Sequence, residues 1–181
     1  MTAFRRFLKD ESGTAAIEFL VVFPTIFLIF SASFEASLYM ARYVMFDWGV
    51  DFVVRDLRLG KLKGNLTHQK LKELICGNGV LTASMGDCTN KMKIWMQPIS
   101  TADFEMNPPP FHCVDKASEI NIDEPPANEF AAGTDNDIML MRICLKEWPM
   151  FPTSTMSVKM PTQPDGSVAM IVTTVFVNEP G

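Results

Sequence analysis

Residues Ser12 to Phe30 read SGTAAIEFLVVFPTIFLIF, and the reading of this stretch decides the fold of the whole chain. From Thr14 to Phe34 there are 21 residues. As a helix they span about 31 Å at 1.5 Å per residue, the thickness of a bilayer's hydrocarbon core. Glu18 is the one charged residue in that span, and Glu35 closes it. A charge at the bilayer centre costs about 2.5 to 3.5 kcal/mol on insertion scales, so an acid kept there calls for a function. Pro24 removes a backbone donor inside the same stretch and frees the Leu20 carbonyl, so a kink is expected at that point.

Working outward, the preceding residues MTAFRRFLKDESG carry Arg5, Arg6 and Lys9 against Asp10 and Glu11. A basic flank on an apolar span keeps that end cytoplasmic. In a bacterial cell, the chain beyond the span then lies outside the inner membrane. The four cysteines include no C-x-x-C pair, and an even count in an exported segment points to disulfides rather than to a metal site. Four cysteines allow three connectivities. The pairs expected are Cys76 with Cys88, closing a local loop after a short helix, and Cys113 with Cys144, pinning a long insertion to a strand.

The helical pattern continues past the span. In EASLYMARYVMFDWGVDFVVRDLRLG, the polar residues Asp47, Asp51, Arg55 and Arg58 take one face and Val50, Val53, Val54 and Leu57 another. Tyr39, Tyr43 and Trp48 suit the membrane interface, Glu35 is placed to reach the headgroups, and Gly60 is a stop. One helix over about 14–59 follows. Thr67 caps a second, short helix, HQKLKELIC, and GNGVLTASMGD reads as a loop. MKIWMQPI, DIMLMRICLKEW and SVAMIVTTVFV read as strands. Between the first two lies a Pro-rich acidic insertion, residues 107–134. The expected class is α+β: a long amino-terminal helix, a short second helix and a small antiparallel sheet of three to four strands.

Charge is unevenly spread, although the chain as a whole nets -5. Residues 36–93 hold nine Lys or Arg against five Asp or Glu (+4), and residues 94–181 hold four against twelve (-8). This distribution is no nucleic-acid footprint. The 13 methionines read as filler of an irregular core. An enzyme is disfavoured: His68 and His112 are the only histidines, and there is no G-x-S-x-G, H-E-x-x-H or phosphate loop. His112 and Cys113 are chain neighbours whose side chains diverge. No metal or cofactor is expected.

A basic leader, then Gly13, then Glu18-Phe19 and an apolar helix together resemble a class III signal peptide, the substrate of prepilin peptidases. With an acid at Glu35, VVRDLRLGKL, ELIC, a second cysteine and a terminal FVNEP, the chain is similar to the TadE and TadF group of the tight adherence (Tad/Flp) pilus system. The resemblance implies cleavage between Gly13 and Thr14. It implies that the Glu18 carboxylate, fifth in the mature chain, neutralises the Thr14-type α-amine of an adjacent subunit, with Phe19 beside it. Complementing the helix dipole, or pairing with its own Thr14, are the alternatives for Glu18. The division implied is a leader over 1–13, a transmembrane segment over 14–34 and a periplasmic pilin-like head over 35–181, with 35–60 continuing the helix. The implied partners are prepilin peptidase, other minor pilins, a Flp-type major pilin, the inner-membrane pilus platform and membrane lipid. The other reading is an ordinary secreted protein, with Phe19 to Phe30 as the apolar region of a signal peptide cut near Ser31-Ala32-Ser33.

Overall fold

A computed structural model describes residues 12–62, 64, 66–79, 85–100, 113, 130–151 and 165–179. His112 and nearly all of the leader and of the acidic insertion lie outside them. Helix α1 runs unbroken over Ser12–Arg58, through Pro24. It is followed by α2 (His68–Gly79), α3 (Met85–Lys91), β1 (Met92–Pro98), β2 (Ile138–Glu147) and β3 (Val168–Val177). The strands form one antiparallel sheet in the order β1-β2-β3.

Local chemistry sets the boundaries. At the end of α1, Gly60 takes a positive φ of 66°, and the Lys61 N–H donates to the Asp56 carbonyl while the Gly60 N–H donates to that of Leu57. This is the glycine-terminated helix end in which the last orphan carbonyls are satisfied. The Thr67 hydroxyl accepts the Lys70 N–H at 3.2 Å and so caps α2. The loop expected over GNGVLTASMGD is a correction: α2 extends to Gly79 and α3 opens at Met85. Glycine and asparagine discourage a helix interior by only about 1 kcal/mol each. Here the bond from Cys76 to Cys88 ties the two short helices together.

The core lies between α1, α2 and one face of the sheet. Phe46, Val50, Val53 and Leu57 of α1 and Leu71 and Ile75 of α2 meet Ile94, Met139, Met141, Ile143, Met170 and Val172. Met92, Met96, Met139, Met141 and Met170 are all buried there, which accounts for the methionines of β2 as unbranched filler of an irregular space. On the opposite face Trp95, Leu140 and Cys144 are buried too, and Cys113 is bonded to Cys144. Burial of β2 on both faces explains why it reads as a nearly continuous apolar run instead of an alternating one.

Candidate functional site

The first half of α1 stands clear of the head. From Ile17 to Phe30 every large apolar side chain is about half or more exposed. A core helix of a soluble protein would be mostly covered; this one is long and apolar enough to cross a membrane by length and composition. Gly13 and Thr14 fall in its first turn and Glu18 in its second. Glu18 is exposed and makes no hydrogen bond or ion pair with another described residue. Phe19 stacks on Phe23 with ring centroids 5.0 Å apart, and Phe23 on Phe27 at 5.9 Å, so one side of this segment is an aromatic ridge.

Where α1 reaches the head, the structure corrects the sequence reading of Glu35. The residue is only 6% exposed, and its carboxylate turns inward to accept the Met150 N–H at 3.0 Å and the Phe151 N–H at 2.9 Å. Two backbone donors of the chain following β2 thereby replace water, which is the condition for burying an acid. Three further contacts fasten the same junction. Phe34 meets Phe151 edge to face at 6.3 Å, Arg42 pairs with Glu147 at 3.2 Å, and the Tyr43 hydroxyl donates to the Ile171 carbonyl at 3.4 Å. Tyr39 and Tyr43 thus serve the head rather than headgroups, while Trp48 is exposed. Burial, with the neighbouring Tyr43 adding a like charge, pushes the Tyr39 phenol up. Between Glu35, Arg42, Glu147 and Met150 the surface leaves a depression of roughly 10 Å³, room for about one water and too small for an organic ligand.

Sequence reasoning missed this junction, although a signal was present. Glu35, Tyr39, Tyr43, Phe46, Val50, Val53 and Leu57 recur at three- and four-residue steps, the row that α1 turns to the head, so Glu35 belongs to the head-facing side. A second missed group is Asn178 of the terminal FVNEP. Its side-chain amide donates to the carbonyls of Ala132 and Thr134, locking the turn that leads into β2. Gly133 in that turn has φ 69°, and a Cβ there would collide with Met139. Asp51 and Arg55, one turn apart on α1, close no ion pair.

The other site residues lie in the head, at the opposite end of α1 from Gly13, Thr14, Glu18 and Phe19. They are two disulfides, Cys76 with Cys88 (Cα atoms 6.0 Å apart) and Cys113 with Cys144 (5.5 Å). Among the described residues no three His, Cys, Asp or Glu side chains gather as a metal site. The candidate site is therefore a surface: an exposed apolar helix whose one acid near its start, Glu18, has no partner among the described residues, continuous with the part of α1 that packs into a small head. No protein-family model, curated protein or solved structure matches the chain.

Proposed function

We propose that the chain is a membrane-anchored, pilin-like minor subunit of the TadE and TadF kind, which helps to initiate or assemble a Tad/Flp pilus for adhesion. The observation that carries this reading is α1 itself. One half is an exposed apolar segment whose lone acid, Glu18, has no partner among the described residues; the other half is built into the core of an α+β head. An acid destined for lipid needs a cation, because an uncompensated charge in a low-dielectric site is where the penalty becomes large. Prepilin peptidase, cutting between Gly13 and Thr14, creates such a cation at Thr14 of a neighbouring subunit. In this reading the protein has no catalytic role; it sits in the bacterial inner membrane with its head in the periplasm and joins other minor pilins and a Flp-type major pilin on the inner-membrane platform.

One observation favours a second reading, a disulfide-bonded periplasmic protein with an ordinary signal sequence. The apolar core of the head begins at Phe46, so a chain cut near Ser31-Ala32-Ser33 keeps it whole. Mass spectrometry of the mature amino terminus separates the two. Thr14 is the terminus expected; Phe34 at the terminus would sink the pilin reading.

A further inference from the structure

The exposed half of α1 meets the head at a depth that the helix itself sets. Read as a membrane span, Thr14 to Phe34 ends one residue before Glu35. Because α1 runs unbroken to Arg58, each residue beyond Phe34 rises about 1.5 Å further from the hydrocarbon. A headgroup layer of roughly 5 to 8 Å on each side of the hydrocarbon then takes in Glu35 to about Tyr39. Whatever is bonded to that turn of α1 is held at the same depth. Glu35 accepts the N–H groups of Met150 and Phe151 at 3.0 and 2.9 Å, and the Phe151 ring meets Phe34, which is itself exposed. Ser31, one turn deeper, is buried amid large apolar neighbours that stay open, so the cover of α1 begins below Phe34. The lower end of the head thus starts at the hydrocarbon boundary and not above the bilayer.

The residues at that end suit the place. The chain leaving β2 reads Trp148-Pro149-Met150-Phe151. Beyond α1, four large apolar side chains are exposed among the described residues. Leu59, Val175 and Val177 belong to the far end of the head, where Arg58 comes within 4.0 Å of Glu179. Met150, 56% exposed, is the one beside the span. Open to water it gains nothing; against acyl chains the same surface is buried. Trp148 is half-buried and borders the same depression as Glu35 and Arg42, and tryptophan gathers at the level of the headgroups. The Lys91 ammonium stands 4.9 Å from the Trp148 ring centroid, on a stem long enough to reach water or phosphate from an apolar foothold. Charge does not choose the contact, since Arg42 is paired with Glu147 and Lys146 with Asp165. Depth chooses it, together with apolar and aromatic surface.

We infer that the lower end of the head, Trp148 with Met150 and Phe151, is a membrane-contact surface lying in the headgroup layer of the bilayer that α1 crosses. The head then rests on lipid instead of standing off it. This rests on the reading of α1 as a membrane anchor and not on the pilus. The test uses the full-length protein in phosphatidylcholine nanodiscs, with photoreactive p-benzoyl-phenylalanine at Phe27 in the span, at Met150, or at Val175. Lipid adducts read by mass spectrometry are expected at Phe27 and Met150 within about threefold of each other, and at least about tenfold lower at Val175, which stands clear of the headgroup layer. Intrinsic fluorescence gives a second readout without an introduced side chain. Trp48 stands about 21 Å beyond Phe34 by the helical rise, and Trp95 is buried in the sheet. Lipid brominated on its acyl chains should therefore quench Trp148 alone, and Trp148→Phe should remove the quenching. Adducts at Phe27 with none at Met150 would overturn the inference and leave the span standing; none at Phe27 would remove both. Adducts from Met150 to a second protein chain in place of lipid, or quenching that survives Trp148→Phe, would also overturn it.

Discussion

At Glu35 a buried acid is held by two backbone N–H donors and by no cation. Removing it leaves both donors unpaired, but Met150 is exposed and water can reach them. Glu35→Ala should therefore cost about 1 to 2 kcal/mol in denaturant unfolding, the lower part of the range for bonds to a charged acceptor. Glu35→Gln keeps one acceptor and should lose about half as much. Equal stability of Glu35→Ala and wild type would mean that the junction rests on the Phe34–Phe151, Arg42–Glu147 and Tyr43–Ile171 contacts. Asp165 offers a pH test. Its carboxylate accepts the Ser167 hydroxyl at 2.6 Å and N–H at 3.0 Å, and the Lys146 ammonium at 3.1 Å. These bonds, the Ser167 hydroxyl foremost, hold its pKa down from 3.8 to about 2. A folded-state pKa below the unfolded one gives stability that is present above about pH 4 and lost as pH falls through 2. The melting-temperature advantage of wild type over Asp165→Asn should shrink across that window. Because the group is largely exposed, the amplitude should be small.

Among the elements, the two disulfides act on different lengths of chain. Cys76–Cys88 spans 12 residues and Cys113–Cys144 spans 31. On the loop-entropy model these closures stabilise by about 3 and about 4 kcal/mol. The double variant Cys113→Ala, Cys144→Ala should thus lose roughly 1 kcal/mol more than Cys76→Ala, Cys88→Ala. Non-reduced mapping should first verify the cystine that remains in each variant. The opposite order in equilibrium unfolding would show that the place of Cys76 and Cys88 in the main core outweighs loop length. The element boundaries illustrate the same balance of local against long-range effects. Thr67 and Gly60 act through bonds within one turn, whereas α3 follows from a covalent tie to α2.

For the whole molecule, the proposed pilin reading makes the exposed half of α1 both an anchor and an assembly surface, and its consequences can be tested on that reading. Glu18→Ala keeps the apolar span and the residues around the Gly13–Thr14 bond, so insertion and cleavage should proceed. Without the carboxylate a neighbour's α-amine would enter lipid unpaired, and assembly should fail. Recovery of the mature Glu18→Ala protein with its pilus partners at wild-type yield would rule this out. The head also bears on copy number. A core built from two helices and a three-stranded sheet is bulky for each step of a thin fibre, so we expect a low-abundance, initiating subunit. Proteomics of sheared pili would refute that if this protein matched the main fibre subunit in amount.

The elements whose signals are periodic or local are legible in the amino-acid sequence alone. Apolar spacing puts the long helix over 14–59 and it is Ser12–Arg58, and the three strands stand where β-branched and apolar runs put them. Apolar spacing, a capping hydroxyl and a stop glycine all act within a few residues, so the sequence carries them. Gly13, Thr14 and Glu18 are singled out by the resemblance to a class III signal peptide, and the function attached to them rests on it. Only the tertiary structure decided the surroundings of residues whose partners are distant in the chain. Glu35 meets Met150 and Phe151 across more than 100 residues, Asn178 meets Ala132, and β2 is buried on both faces. The cysteine pairing needed both: four cysteines admit three connectivities, and the structure has the expected pairs, Cys76 with Cys88 and Cys113 with Cys144. An acid beside an apolar span looks the same in one dimension whether it faces headgroups or backbone donors. The packing of the strand ends against the helix determines which it meets, because burial is set by the segments that arrive from elsewhere in the chain.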